Sequence, residues 1–266
     1  MDHAVIVRKV WKENLVEEFD LIKVALMSYH MVSIDTEFPG IVYRPANVDK
    51  HELGKLPPIW NYQNPESIEL LERQGIEFDK NLKEGIIDYA DFAALMLESG
   101  LLGDHSAFTW VTFHGAYDIA HLMKILIRQP LPYDLMGFMN LVQRIFGKRL
   151  FDLKHMMKFC DGLYGGLEKV ANTLGVQRLA GKSHQAGSDT LLTLQTFRKF
   201  LDVHFKENNN GGLRHNGHLL TRMQCVLHGL ELNNCFHQFN NAGLKIITRG
   251  FHGLNLNLYR QYAICN

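Results

Sequence analysis

Cysteine is scarce, with four residues in 266 (Cys160, Cys225, Cys235 and Cys265), all widely spaced. They form neither a disulfide framework nor a C-x-x-C metal site, which points to a reducing compartment. Neither sign of charge is in excess, because 28 lysines and arginines balance 28 aspartates and glutamates. This excludes the basic field that dominates non-specific duplex binding, so a nucleic-acid partner would be held by a local groove. Long apolar runs are also missing, and no window approaches the roughly 20 residues of a membrane span. The opening stretch from Met1 to Lys9 is too short and too charged for a signal peptide, so none is expected. G-x-S-x-G, the P-loop, H-E-x-x-H and G-x-G-x-x-G are all absent, and there is no internal repeat. Proline occurs only seven times, and four of the seven fall between Arg44 and Pro65.

What remains is an ordinary globular composition, 46% hydrophobic and 21% charged, in a length that allows one large domain or two small ones. Leu15, Phe19, Ile22 and Leu26 recur at helical steps and predict an amphipathic helix within Val10–Ser28. Met31–Asp35 reads as a strand, with Ile41-Val42-Tyr43 as a possible extension. The Pro-rich tract to Pro65 reads as loop, apart from the strand-like Ile59-Trp60-Asn61-Tyr62. Helices are expected over Pro65–Arg73, Asp88–Leu97, Ile119–Arg128, Asp134–Phe146, Asp152–Cys160, Gly166–Leu174 and Thr190–Phe205. Phe108–Phe113 is a strand by composition and alternation, and Lys148–Phe151 a shorter one. Gly162-Leu163-Tyr164-Gly165-Gly166 is glycine-rich but lacks phosphate-loop spacing, and reads as a turn before a helix.

The chemistry-bearing residues sit at element ends. Asp35 and Glu37 directly follow an apolar strand, and residues two apart on a strand share a face. Two carboxylates side by side are costly unless a cation neutralises them. Asp118 follows the strand ending at Phe113 and opens a helix. Asp189 stands at or within the first turn of the long helix. Either aspartate could equally be a helix N-cap. His184 lies five residues before Asp189, on the polar turn Ser183–Ser188, where an imidazole could take a proton from an attacking water. Asp152, after Leu150-Phe151, is a fifth candidate acid. Clustered carboxylates suit Mg²⁺ or Mn²⁺, and two such ions roughly 4 Å apart serve phosphodiester displacement. Five of the 14 histidines lie beyond Lys206 (His215, His218, His228, His237 and His252) in no spacing that makes a ligand set.

Taken together, three motifs carry a resemblance. They are Asp35-Thr36-Glu37-Phe38-Pro39-Gly40, Phe113-His114-Gly115-Ala116-Tyr117-Asp118, and His184-Gln185-Ala186-Gly187-Ser188-Asp189. The chain resembles the DEDD exonuclease superfamily in its DEDDh branch, and more narrowly the Caf/Pop-type poly(A) ribonucleases, deadenylases of the Ccr–Not complex. The resemblance covers about Val10 to Lys206. It implies an α/β fold of ribonuclease H type, a mixed sheet flanked by helices. It implies Asp35, Glu37, Asp118 and Asp189 as ligands of two divalent cations, Mg²⁺ or Mn²⁺, and His184 as general base, with Asp152 outside that set. The implied reaction is 3′-to-5′ hydrolysis of mRNA poly(A) tails to 5′-AMP. The implied partners are poly(A) RNA and the scaffold and second nuclease subunits of the complex, with no membrane, and the implied localisation is cytoplasmic and nuclear.

Two departures accompany the resemblance. Members of the family carry a second strand after the first motif, and Arg44–Pro65 is too short for it, so that strand is expected to be missing. Beyond Lys206 the sequence is not familial. The expected division is a ribonuclease domain over 1–206 and a poorly packed extension over 207–266. A second reading follows from the shortened segment: an inactive or partly folded relative acting only as a binding module of the complex.

Overall fold

The computed structural model describes residues 5–37, 64–86, 88–103, 106–205 and 216–231. Among them are three strands, β1 (Met31–Ser33), β2 (Thr109–Thr112) and β3 (Leu150–Asp152), all parallel and in that order across the sheet. Met31 pairs with Thr109, and Trp110 with Leu150. Parallel neighbours need crossover connections, and helices supply them. The helices are α1 (Leu15–Leu26), α2 (Pro65–Arg73), α3 (Phe78–Glu84), α4 (Tyr89–Glu98), α5 (Ala116–Ile127), α6 (Leu135–Phe146), α7 (Leu153–Met156), α8 (Leu167–Thr173), α9 (Ala186–His204) and α10 (Asn216–Arg222).

Side chains alternate across the sheet and sort the core into two layers. Trp110 and Leu150 face a cluster built from α1, α4, α5 and α6, including Phe19, Ile119, Phe138 and Phe146. Val111 and Phe151, one residue further along each strand, face the other cluster, with Leu153, Met156, Val170, Phe197 and Phe200. Every residue of β2 and β3 is buried, as expected of parallel strands covered on both faces. The helix starts follow local capping chemistry. Asn64 accepts from the Glu66 amide at 2.9 Å with Pro65 in the first turn, Asp88 caps α4, and Asp134 accepts from the Gly137 amide at 2.7 Å.

The fold is α/β as expected, and the described part of the sheet is parallel rather than mixed. The expected loss of a second strand, and the stretches Ile41–Tyr43 and Ile59–Tyr62, lie outside the described residues. Helix α3 was not expected. The expectation of poor packing beyond Lys206 does not hold for 216–231. Met223, Leu227 and Leu230 are buried there, the Cys225 amide donates to the Leu150 carbonyl at 2.8 Å, and Val226 bridges Phe151. Those apolar residues match no regular period because, after α10, the segment lies against the edge of β3 rather than forming a further helix. Among the described residues, no helix is long and apolar enough to cross a membrane.

Candidate active site

Three elements bring the acids together beyond the ends of the parallel strands. The Ile34 amide still bonds to the Val111 carbonyl at 3.2 Å, so the chain leaves β1 along β2 before presenting Asp35 and Glu37. Asp189 comes from the first turn of α9, where Gln185 holds the N-cap position. Asp35, Glu37 and Asp189 each offer a carboxylate oxygen within 4.8 Å of the others. All three line a pocket completed by Thr36, Phe113, Gly166, Leu167, Glu168, Arg178, Ser183, His184 and Thr193.

Asp118 joins from behind. It lies in the first turn of α5, buried, and is not the cap, which is Gly115. Thr36, between the two acids of the first motif, donates its hydroxyl to Asp118 Oδ1 at 2.5 Å. A side chain at Gly115 could not fit, because its Cβ would lie 2.3 Å from the Thr112 Cβ, so the glycine lets α5 start hard against the end of β2. Asp152 lies outside the acid cluster and is fully buried. Its Oδ1 accepts from the amides of His114 (2.9 Å), Lys154 (2.9 Å) and His155 (3.4 Å), and its Oδ2 from those of Gly115 (3.1 Å) and His228 (2.9 Å). It therefore fixes the turn that precedes Asp118.

His184 is exposed at the pocket wall, in a left-handed conformation (φ 60°) that only a well-held non-glycine residue adopts. Its amide donates to Asp189 Oδ2 at 2.9 Å, which couples the histidine turn to the acid. Two contributors were not marked in the sequence. One is Thr36. The other is Arg178, whose Nη2 donates to Asp189 Oδ1 at 2.6 Å and to Glu168 Oε1 at 2.5 Å, while Nη1 reaches the Ser188 hydroxyl. Among the described residues lining the pocket, Arg178 is the one lysine or arginine. Nothing in its sequence neighbourhood signals this, since it precedes His184 by six residues in an irregular segment.

The electrostatics show acids without enough countercharge. Burial, reinforced by the repulsion of Asp118, Glu37 and Asp189, pushes Asp35 up to about 8. Burial and the charges of Asp189 and Asp118 raise Glu37 to about 7. Burial raises Asp118 to about 6 against the opposing hydrogen bonds from Thr36. Oxygen-only donors, crowded and short of positive charge, fit a hard divalent cation.

No family model matches the chain. Among curated relatives, Probable CCR4-associated factor 1 homolog 10 of Arabidopsis thaliana is 37% identical over 249 residues, covering 77% of this chain and 88% of the relative. Poly(A) ribonuclease pop2 of Schizosaccharomyces pombe is 34% identical, covering 89% and 78%. Among solved structures, S. pombe Pop2p in its Mg²⁺- and Mn²⁺-bound form superposes with a TM-score of 0.67 at 33% identity, over 82% of this chain and 97% of that one. The yeast NOT1 MIF4G domain co-crystallised with CAF1 gives a TM-score of 0.61 at 26% identity, over 84% and 96%.

Proposed function

The chain belongs to the Caf/Pop-type poly(A) ribonucleases, and from that premise we propose that its acid cluster is the hydrolytic centre of a 3′-to-5′ exoribonuclease that shortens mRNA poly(A) tails and releases 5′-AMP. The observation that carries the reading is the meeting of Asp35, Glu37 and Asp189 within 4.8 Å, with Asp118 tied to them through Thr36. The enzyme works with divalent cations, Mg²⁺ or Mn²⁺, and associates with a NOT1-type scaffold of the Ccr–Not complex.

Asp35, Glu37, Asp118 and Asp189 are the residues that would hold the cations. Divalent cations, when bound, polarise the phosphodiester and acidify water. The chain's own groups do the rest. Phe113 and Leu167 give the pocket apolar walls. His184, anchored through its amide to Asp189, presents an imidazole at the rim to accept the proton of the attacking water. Thr36 keeps Asp118 in register with the pair that flanks it.

The test uses the full chain with oligo(A) labelled at its 5′ end. Stepwise shortening from the 3′ end, dependent on Mg²⁺ or Mn²⁺ and abolished by Asp35→Ala, is expected. A cooperatively melting protein that leaves the oligomer intact would overturn the reading and return the chain to a binding role.

A further inference from the structure

The acid cluster leaves one demand of an RNA substrate unmet. Its floor is negative, whereas a single strand is a polyanion that proteins hold with cations and stacking aromatics. The wall formed by Gly166, Leu167 and Glu168 leads to such groups. Just before it, Tyr164 stands 63% exposed, and the Lys169 ammonium lies 3.6 Å from the centre of its ring. The turn is shaped for that pairing. Gly165 has φ 95°, a conformation that favours glycine, and a Cβ there would lie 2.9 Å from the Lys169 Cδ and push the lysine stem aside.

The same turn is tied to the pocket. The Lys154 ammonium donates to the Gly165 carbonyl and lies 5.6 Å from the ring of Phe113, itself a pocket residue. With Cα atoms 3.8 Å apart along the chain, Tyr164 starts within about 8 Å of the pocket-lining Gly166. Aromatic and cationic groups thus pair twice beside the pocket, Phe113 with Lys154 and Tyr164 with Lys169. Lysine lies over the phenol ring, and Tyr164 stays 63% exposed beside it.

We propose that Tyr164 and Lys169 form a nucleobase-stacking subsite for a nucleotide upstream of the one being removed. The exposed ring takes a purine base, and the lysine ammonium takes an adjoining phosphate. This rests on the ribonuclease reading of the acid cluster. It adds a substrate contact outside the metal-binding acids, on a turn whose sequence showed only its glycines.

Two readouts on the full chain test it, namely binding of 5′-fluorescein oligo(A) by anisotropy in EDTA and hydrolysis of the same oligomer in Mn²⁺. Tyr164→Ala is expected to weaken binding and raise KM roughly tenfold, with kcat within about twofold of wild type. Tyr164→Phe, which keeps the ring, is expected to behave as wild type. An oligomer with abasic residues next to its 3′ end should bind wild type and Tyr164→Ala equally. Lys169→Gln should reduce the salt dependence of log binding constant by about 0.7. Unchanged binding by Tyr164→Ala, or an equal loss on intact and abasic oligomers, would overturn the subsite. Ring-dependent binding without hydrolysis would leave the subsite standing and sink the ribonuclease reading. Hydrolysis that is insensitive to Tyr164 would do the reverse.

Discussion

Asp35 carries the sharpest consequence of the site's chemistry. Its folded-state carboxyl titrates at about 8 and that of Glu37 at about 7, both above the ordinary carboxylate range near 4 that the unfolded chain would show. The folded state therefore binds protons that the unfolded state has released. Stability from these groups is fully present below about pH 4 and is lost as pH rises through 7 to 8. The metal-free protein should accordingly melt at a lower temperature at pH 8.5 than at pH 6, and Asp35→Asn should remove much of that difference. Mn²⁺ affinity should move the other way, rising across the same window as the ligands deprotonate. A melting temperature insensitive to both pH and Asp35→Asn would contradict this. Arg178 makes a second prediction at this scale. It holds one oxygen of Asp189 while the His184 amide holds the other. Partners of metal-binding carboxylates typically matter 10- to 100-fold in affinity, so Arg178→Met should weaken Mn²⁺ binding by about tenfold in calorimetry. Asp35, Glu37, Asp118, Asp189 and His184 stood out in the sequence as acids and a histidine at element ends whose three motifs, taken together, carry the family resemblance. Thr36 and Arg178 did not, because their importance comes from which distant side chain each one meets.

Element geometry decides where those acids point. Strand β1 is short and only half-buried, yet it delivers Asp35 and Glu37 because β2 continues to hold the chain at Ile34. The starts of α5 and α9 place Asp118 and Asp189 within first turns, where exposed amides and the helix dipole favour a carboxylate. What sets the α5 start is Asp152. One buried carboxylate receives five amides from the α5 turn, the α7 turn and the segment after α10. Asp152→Asn would turn an NH₂ group toward some of those donors. Leaving buried amides unpaired costs about 1–3 kcal/mol each, so we expect at least about 3 kcal/mol of lost stability in denaturant titration. We also expect reduced activity, because the turn ahead of Asp118 loosens. The strands and most helices were legible from apolar periodicity, proline and capping residues. Helix α3 was not, because Phe78–Glu84 is only seven residues and reads as a polar stretch, with two apolar residues and Asn81 as its buried position.

Across the whole molecule, the division at Lys206 needs redrawing. The segment after α10 bridges the edge of β3 at Val226 and sends His228 to Asp152, so part of the region expected to be an appendage packs against the sheet. Glu231 shows how firmly. Although burial opposes its charge, contacts with Lys158 and His155 hold it down at about 2. Its stabilisation is present above the ordinary carboxylate range and is lost only as pH falls toward 2. Ending the chain at residue 206 removes three buried apolar side chains, Met223, Leu227 and Leu230, each worth about 1.5–3 kcal/mol, and uncovers Asp152. That truncation should melt at a clearly lower temperature or fail to melt cooperatively, whereas truncation after 231 keeps these contacts. The family, by contrast, was legible from three short motifs, since their order along the chain already specifies the site. The Arabidopsis relative's alignment of 249 residues takes in only 77% of this 266-residue chain.

We propose that this chain hydrolyses poly(A) at the acids it brings together. The direct measurement is release of 5′-AMP from oligo(A) by the chelator-treated full chain, followed as Mn²⁺ is added back, beside Asp35→Ala. We predict no release without the metal, release that saturates with it, and none from the variant. Release that persists in chelator, or equal release from Asp35→Ala, would contradict hydrolysis at this metal-dependent site.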